Sequence, residues 1–367
     1  MKHHPTLPTF GLSRRSRVGR AVVVTAALSL GSRLGRALAQ DATPPAGPVE
    51  FLWETSGGSD IPLGNPSHLA VAPDGTIWVA DGDNDRFQIF APDGAFFEVW
   101  GTSGSSEGEF DFTTVGWGGY DQAAIAFAPD GTFYVTDIGN HRIQKFGPDR
   151  GFLTAWGSKG QEPGQFDTPI DLVVDGQGQV YVLDSFSSIV SPRPETGAVQ
   201  VFDADGRFLA DWGELGSEPG QLKGPFGIGL DIDGTFLIAE FDNNRVQRFT
   251  LEGELLDGWG GYGNADGEFI WAMDAAVDAA GRVFVTDYAN SRVQVFDHDG
   301  QFLAAFGGFG FDAGRFASAL GVAVGGNGTV YVTDAGKRLQ AFRVGDLPVA
   351  GAAIPAPGAE AAGTPSR

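Results

Sequence analysis

Short runs of apolar residues, separated by glycine-containing turns, recur along the chain at a nearly constant period. The last aromatic residue of successive periods is found at intervals of 47, 56, 56, 47 and 47 residues, at Trp53, Trp100, Trp156, Trp212, Trp259 and Phe306. Self-similarity at a period of this size is typical of the four-stranded blade of a β-propeller. The pattern therefore predicts a repeat protein.

One period shows how each unit is built. Its apolar runs cover residues 69–72, 76–81, 86–90 and 95–100, and a Pro-Asp-Gly turn follows the first run and the third. The runs have the length and the β-branched and aromatic content of strands, and Asp-Gly between such runs predicts a hairpin. Each unit is predicted to be a four-stranded antiparallel meander, whose strands we call A to D.

An acidic residue ends strand B in each unit, and it gives the number of units. There are six such positions, at Asp81, Asp137, Asp184, Glu240, Asp287 and Asp334. The sixth unit has a strand C at 339–343 but no strand D, whereas an unpaired strand D is present at 51–53. We expect this N-terminal strand to complete the last unit, because closing the ring removes an open sheet edge.

The units at 135–146 (Val-Thr-Asp-Ile-Gly-Asn-His-Arg-Ile-Gln-Lys-Phe) and 285–296 (Val-Thr-Asp-Tyr-Ala-Asn-Ser-Arg-Val-Gln-Val-Phe) resemble NHL repeats. The resemblance covers roughly residues 49–346. It implies an all-β fold, a six-bladed β-propeller. It does not imply one activity, because NHL propellers include interaction platforms, RNA binders and a few enzymes.

The two ends of the chain differ from the repeats. Residues 1–39 combine seven basic residues and no acidic one with the apolar run 21–30 and an Ala-Leu-Ala site, which predicts a cleaved signal peptide. Ser13-Arg-Arg15 resembles a twin-arginine signal, and the general secretory route is the alternative. We expect an extracytoplasmic protein with a linker at 40–48 and a disordered Ala/Pro/Gly-rich tail at 347–367.

Charge and cysteine content limit the classes of function that are possible. The net charge is −22, or −29 without the seven positive charges of residues 1–39. A surface this acidic repels phosphate backbones and anionic lipids. We therefore expect no nucleic-acid partner and no membrane insertion after signal cleavage. The absence of cysteine excludes disulfides, thiol nucleophiles and thiolate metal sites. We expect a monomer.

The two 56-residue intervals contain insertions that predict a binding rim. One lies around 112–121 in the loop before strand A of the second unit, and the other around 187–196 in the B-to-C loop of the third. Both loops emerge on the same face of a meander, where inserted loops often carry specificity. The candidate ligand contacts are Trp117, Tyr120, Asp121, Arg193 and His141. The alternatives are insertions without a role and, for His141, a solvated histidine.

Three polar residues at equivalent positions in strand A predict a second candidate site. His68, Asp171 and Asp274 are 103 residues apart and belong to alternate units, so sixfold geometry places them about 120° apart around the central channel. One imidazole and two carboxylates are suited to Zn²⁺, or to Ca²⁺ with added waters. The alternative is structural, since a carboxylate here can accept hydrogen bonds from neighbouring strands.

The alternate-unit spacing resembles that of peptidylamidoglycolate lyases, which are NHL-like propellers that hold zinc with three histidines. It implies a metal-dependent lyase or hydrolase, including a lactonase-like one, acting at the channel. The sequence contains no Gly-x-Ser-x-Gly elbow and no His-Glu-x-x-His motif. The function that the sequence favours is therefore a non-enzymatic binding or scaffold protein that uses the looped rim, with no catalytic residue assigned, and the metal-dependent enzyme is the alternative.

Overall fold

The computed structural model describes residues 48–113, 122–184 and 198–347, and these residues form a six-bladed β-propeller. Each blade is a four-stranded antiparallel sheet, and in blades 1 to 5 the strands follow chain order. Strands A of neighbouring blades contact one another around the axis, so strand A is innermost and strand D outermost. The predicted all-β propeller and its number of blades are confirmed.

The strands of the six blades are three to seven residues long. From blade 1 to blade 6, strands A are Pro66–Val71, Ile125–Phe127, Pro169–Val174, Pro225–Leu230, Ala272–Val277 and Ala319–Val324. Strands B are Ile77–Asp81, Phe133–Asp137, Val180–Asp184, Phe236–Glu240, Val283–Asp287 and Thr329–Asp334. Strands C are Arg86–Phe90, Arg142–Phe146, Val199–Phe202, Arg245–Phe249, Arg292–Phe296 and Arg338–Val344. Strands D are Phe96–Trp100, Phe152–Trp156, Phe208–Trp212, Leu255–Gly260, Phe302–Gly307 and Val49–Thr55.

Short elements lie in the connecting loops. The two-residue strands are Gly57–Gly58, Ile61–Pro62, Thr102–Ser103 and Glu109–Phe110, and Gly82–Asn84 forms a 3₁₀ turn. Among the described residues, no helix is long and apolar enough to cross a membrane.

The N-terminal strand closes the ring. Val49–Thr55 pairs antiparallel with Arg338–Val344, so that Val49 lies opposite Val344 and Thr55 opposite Leu339. The first strand of the fold is thus the outermost strand of the last blade, as the sequence predicts. Because both ends of the propeller meet in one sheet, the ring has no open edge between its first and last blades.

The core consists of apolar layers between neighbouring blades. Between blades 1 and 2, the rings of Trp100 and Phe146 meet edge to face with their centroids 4.8 Å apart. Phe110 and Phe133 complete this contact, with centroids 5.3 Å and 5.4 Å from that of Trp100. Such pairs add to the stability that area burial provides. The repeated aromatic of strand D is therefore a packing residue between blades.

The acidic residue at the end of strand B organises the loops of most blades. The carboxylate of Asp137 accepts hydrogen bonds from Arg142 Nε at 2.6 Å, Gln144 Nε2 at 2.9 Å, Asn140 Nδ2 at 2.9 Å and Asp111 N at 2.8 Å. Four other blades pair the same two positions, as Asp81–Arg86, Glu240–Arg245, Asp287–Arg292 and Asp334–Arg338. Repetition in five blades identifies this network as architecture.

Several predicted segments lie outside the described residues. These are the signal peptide at 1–39, the linker at 40–48 except its last residue, and the tail at 347–367 except its first. That first residue, Leu347, packs against the core of the last blade. The assignments of the signal peptide, linker and tail remain predictions.

Candidate functional site

The side chains of His68, Asp171 and Asp274 meet at the centre of the propeller. One ligand atom from each residue lies within 4.8 Å of the other two. His68 Nε2 is 3.3 Å from Asp171 Oδ1 and 4.0 Å from Asp274 Oδ2. The imidazole is about one-fifth exposed (21%), and the carboxylates are almost completely buried. We call these three residues the axial cluster.

A bulge at the start of strand A turns these side chains toward the axis. In blade 1, Pro66 lies opposite Asp81 while Leu69 lies opposite Val79, so three steps along strand A match two along strand B. Asp274 lies within the same irregularity in blade 5, and Asp171 ends it in blade 3. A bulge changes the face of the sheet on which the following side chains lie. Because the irregularity recurs in blades 1, 3 and 5, the side chains of all three residues point toward the axis.

Backbone hydrogen bonds hold the two carboxylates. Asp171 Oδ1 accepts from Leu172 N at 2.7 Å, and Oδ2 accepts from Ile228 N in the next blade at 2.8 Å. Asp274 repeats the arrangement, with Ala275 N at 2.8 Å and Val322 N in the next blade at 2.9 Å. Each carboxylate oxygen of Asp171 and Asp274 thus accepts one backbone hydrogen bond. The carboxylates join blades in addition to facing the axis, which is the structural role that the sequence left open.

Burial makes the ionised form of this cluster costly. Burial raises the pKa of the Asp171 carboxyl from 3.8 to about 7, an effect that His68 opposes and the Asp274 carboxyl reinforces. Burial likewise raises the pKa of Asp274, against the influence of His68. Two buried carboxylates side by side require a proton or a cation to offset their desolvation and mutual repulsion. The electrostatics therefore favour a bound positive charge at this point.

Small residues occupy the same position in the other three blades. They are Ala124, Gly227 and Gly321. A Cβ atom on Gly227 would lie 2.6 Å from Met273 O and 2.7 Å from Asp274 Cα. Six full-sized side chains cannot fit around one axis at this close approach. The alternation of polar and small residues is therefore the packing solution that lets three polar groups meet.

We expect Gly227→Ala to lower the free energy of unfolding by about 1–3 kcal/mol, because the added methyl group must displace the backbone of blade 5. Thermal and urea unfolding measure the change. Gly176→Ala is the matched control, since a Cβ atom there would meet no atom within 4 Å. Equal stability of the two variants would contradict the close approach at the axis.

A small cavity lies beside the axial cluster. Its volume is about 20 Å³, enough for about one water molecule, and its lining includes Ser67, His68, Gln122, Phe226 and Asp274. Ser67 Oγ and His68 Nδ1 are buried and have no hydrogen-bond partner among the described residues. Since buried polar atoms are normally paired, these two atoms indicate a position for a small polar group.

The axial cluster has the donor atoms and spacing of a divalent cation site. Two ligand atoms that are each about 2.1 Å from one ion, at a tetrahedral angle, lie about 3.4 Å apart. The histidine-to-carboxylate separations are 3.3 Å and 4.0 Å and all three atoms lie within 4.8 Å of one another, so small side-chain movements would bring them onto one ion. Three protein ligands leave further coordination positions open, as in catalytic zinc sites. The residues present therefore fit a divalent ion with room for one more small ligand.

The structure describes only one of the five predicted rim contacts. Trp117, Tyr120, Asp121 and Arg193 lie outside the described residues, and their role remains a prediction. His141 lies apart from the axial cluster, and its Nδ1 is 2.8 Å from the carbonyl oxygen of Asp167 in the following loop.

His298 is 43% exposed in the turn between strands C and D of blade 5, on the opposite face. Its Nδ1 is 3.3 Å from Asp231 Oδ2, and its Nε2 is 3.6 Å from Asp233 Oδ2. It thus lies beside two aspartates of blade 4 and is not part of the axial cluster.

Sequence reasoning missed Ser67 and Phe226, which line the cavity. The available signal was their register, because both lie one position before the axial residue of their strand A. It also missed Trp271, which directly precedes strand A of blade 5 and adopts a positive φ of 69°. No composition or spacing argument identifies a left-handed tryptophan, since the conformation arises from the loop.

The fold and the axial cluster define a class, namely six-bladed propellers with a polar centre built from alternate blades. Comparison with known families adds the repeat type, since residues 123–146 and 271–296 match the NHL repeat model. The human NHL repeat-containing protein 3 is 25% identical over 185 residues, which are 47% of this chain and 47% of that protein. The matched region therefore spans about half the length of this curated relative. This chain is therefore a six-bladed β-propeller that contains NHL repeats.

Solved structures share the fold at low sequence identity. A gluconolactonase from Xanthomonas campestris superposes with a TM-score of 0.56 and 16% identity, over 82% of this chain and 89% of that one. Virginiamycin B lyase from Staphylococcus aureus superposes with a TM-score of 0.54 and 12% identity, over 80% and 99% of the two chains. At these identities, the likeness shows the propeller fold alone.

Proposed function

We propose that this protein binds one divalent cation at the axial cluster and uses it to hydrolyse an ester or lactone, or to catalyse an elimination, at the mouth of the channel. The observation that carries the proposal is the convergence of one imidazole and two buried carboxylates within 4.8 Å. The raised pKa values of both carboxyls support it, because a cation would offset the cost of burying them as anions.

The protein's own groups have separable roles in this proposal. His68, Asp171 and Asp274 hold the ion, and the backbone N–H groups of Ile228 and Val322 fix the two carboxylates. A divalent ion in such a site supplies Lewis acidity to a carbonyl oxygen or a water molecule. Ser67 Oγ and His68 Nδ1 provide hydrogen-bonding atoms for a small polar group in the cavity.

The fold neighbours are consistent with this choice of chemistry. One is named a gluconolactonase and another a virginiamycin B lyase. These names describe reactions of other proteins on the same scaffold. For this chain they suggest which reactions to assay, and the argument for a site rests on the axial cluster.

Metal binding is the first test. Tag-free protein, stripped with a chelator, is titrated calorimetrically with Zn²⁺, Mn²⁺ and Ca²⁺, and its metal content is measured as purified. We expect one equivalent of ion, and we expect His68→Ala combined with Asp274→Asn to weaken binding at least about 100-fold, or about 2.7 kcal/mol. The loss follows because two of the three ligands are removed.

His141→Asn is the matched control, since it removes a histidine outside the cluster, and asparagine tolerates the φ of 56° at that position. It should leave the affinity unchanged. Millimolar or weaker affinity for all three ions, or equal affinity of the axial variant, would contradict the metal site. Metal binding without any metal-dependent ester, lactone or elimination activity would contradict the proposed catalysis and assign the ion a structural role.

A non-covalent binding function of the rim is the second candidate, and exposed aromatic residues favour it. Tyr262, Phe309 and Phe311 lie in D-to-A loops and are 75%, 71% and 70% exposed. Exposed apolar residues that cluster on one face often mark binding surfaces. Pull-down with the wild type and with Phe309→Ser combined with Phe311→Ser tests this candidate, which fails if both proteins retain the same partners.

A further inference from the structure

Trp271 has an unusual backbone conformation for a tryptophan. Its φ is 69°, in the left-handed region, and it directly precedes strand A of blade 5. The equivalent residues of blades 1 and 4 are Asn65, with φ of 60°, and Gly224, with φ of 56°. Blades 1, 4 and 5 therefore share this conformation, which asparagine and glycine adopt with little strain. A bulky residue in the left-handed region is strained and is a reason to look for a function.

The loop holds Trp271 from both sides of its backbone. Trp271 N donates to Asn244 Oδ1 at 2.9 Å, and Trp271 O accepts from Tyr288 N at 3.1 Å. The indole stacks on Phe241 with a centroid distance of 4.9 Å and an interplanar angle of 16°. The ring of Tyr288 lies 5.9 Å away at 43°. The indole is thus fixed in one orientation.

Packing alone does not account for this arrangement, because Trp271 remains 40% exposed. A ring that is held by stacking and hydrogen bonds, yet open to solvent, offers a preorganised surface for another flat group. Aromatic side chains of this kind lose little conformational freedom when a ligand binds.

Trp271 lies on the same side of the propeller as the axial cavity. It directly precedes the strand that carries Asp274, three residues further along the chain, which corresponds to a backbone distance of roughly 10 Å. The cavity of about 20 Å³ beside the axial cluster admits only a small polar group. The remainder of any substrate that reacts there must therefore lie on the rim.

We propose that Trp271 forms the subsite for the ring of an uncharged substrate whose carbonyl group reaches the axial cluster. The substrate class is an ester or lactone attached or fused to an aromatic ring, and this assignment rests on the proposed function. The acidic balance of the chain, −22 overall, disfavours anionic ligands. The stacked indole supplies an apolar face with preferred ring-to-ring geometry.

The test compares two δ-lactones that differ only in the fused benzene ring, dihydrocoumarin and δ-valerolactone. We expect Trp271→Asn to lower kcat/KM for dihydrocoumarin about tenfold through KM and to leave δ-valerolactone unchanged. Metal affinity should not change. Tyr262→Asn, which removes another exposed aromatic of the same rim, should affect neither substrate.

Stability separates a subsite from a packing role. Asparagine fits the left-handed conformation, so Trp271→Asn should have an unchanged or higher Tm, by up to about 4 °C. A Tm that falls by more than this amount, or an equal loss of kcat/KM for both lactones, would overturn the proposal by showing that Trp271 supports the fold.

Binding of unreactive lactams distinguishes the subsite from the chemistry. The metal-loaded protein is titrated with 3,4-dihydro-2(1H)-quinolinone and with δ-valerolactam, the lactam analogues of the two substrates. Preferential binding of the aryl lactam that depends on Trp271, without turnover of either lactone, would keep the subsite and reject the proposed hydrolysis. Equal binding of both lactams, or a preference that Trp271→Asn retains, would overturn the subsite.

Discussion

Asp137→Ala is expected to lower the free energy of unfolding by about 3–5 kcal/mol, the usual cost of removing one partner of a buried ion pair. The Asp137 side chain is fully buried and accepts hydrogen bonds from Arg142 and Gln144 of strand C, and from Asp111 N in the preceding loop. Without the carboxylate, Arg142 Nε and Asp111 N lose this acceptor in a part-buried position, and Gln144 Nε2 keeps only its bond to Glu109 O. Chemical unfolding monitored by tryptophan fluorescence measures the loss.

This expectation concerns the removal of one partner and does not make the ion pair a net source of stability. Burial raises the pKa of Asp137 even though Asp111 N and Arg142 act in the opposite direction, so the hydrogen bonds do not fully offset desolvation. The large effect comes from the unpaired donors that remain.

The control is Arg343→Ala, which breaks the pair between Arg343 and Glu50. Both side chains of this pair are more than 60% exposed, at 64% and 62%. Surface pairs typically contribute about 0–1 kcal/mol. Similar losses from Asp137→Ala and Arg343→Ala would refute the assignment of the strand-B acids as buried organising groups.

Asp171 is expected to make the metal-free protein lose stability as the pH rises from about 4 to about 7. Burial raises the pKa of this carboxyl from 3.8 to about 7 in the folded state, while the unfolded chain retains the ordinary value. Between these two values the folded state binds more protons than the unfolded state. The stabilisation that the protonated Asp171 contributes is therefore fully present below pH 4 and is lost as the pH rises through 7. A shift of about three units corresponds to an effect on the order of 4 kcal/mol.

Asp171→Asn should remove this dependence, because the amide does not ionise. It also exchanges one acceptor oxygen for a donor next to Ile228 N, so a constant loss of about 1–2 kcal/mol is expected at every pH. The informative quantity is therefore the change with pH in the difference between the variant and the wild type, since the other carboxyls titrate in both proteins.

The measurement is urea unfolding in chelator at several values between pH 4 and 8. Asp205→Asn is the control, since that carboxylate is 92% exposed and should leave the slope unchanged. Parallel pH profiles for Asp171→Asn and the wild type would show that the axial carboxyl is not perturbed. A divalent ion should reverse the trend in the wild type, because metal binding displaces protons and becomes tighter as the pH rises.

The axial cluster shows how far the sequence carries a site. The register of strand A selects His68, Asp171 and Asp274 because each lies at the same position of its repeat, and the spacing places them in alternate blades. The structure brings their side chains together, as expected from that register. It adds the bulge that turns them inward and the hydrogen bonds from Ile228 and Val322, which belong to neighbouring blades.

Trp271 shows where sequence reasoning ends. The residue is adjacent to the strong signal of Asp274, yet its type gives no indication of a left-handed backbone. That conformation depends on contacts with Asn244 and Tyr288, which are 27 and 17 residues away in the sequence. The unpaired Ser67 Oγ is similar, because only the assembled cavity reveals that it has no partner among the described residues.

By itself, the sequence determined the number of blades, the order of strands within a blade and the closure by the N-terminal strand. Local periodicity and turn chemistry specify these features, and they repeat six times, so each copy supports the others. Tertiary structure alone decided the distances between the three axial side chains, the raised pKa of Asp171 and the exposure of Trp271. These properties depend on distances between blades and on burial, which arise only when the ring is assembled.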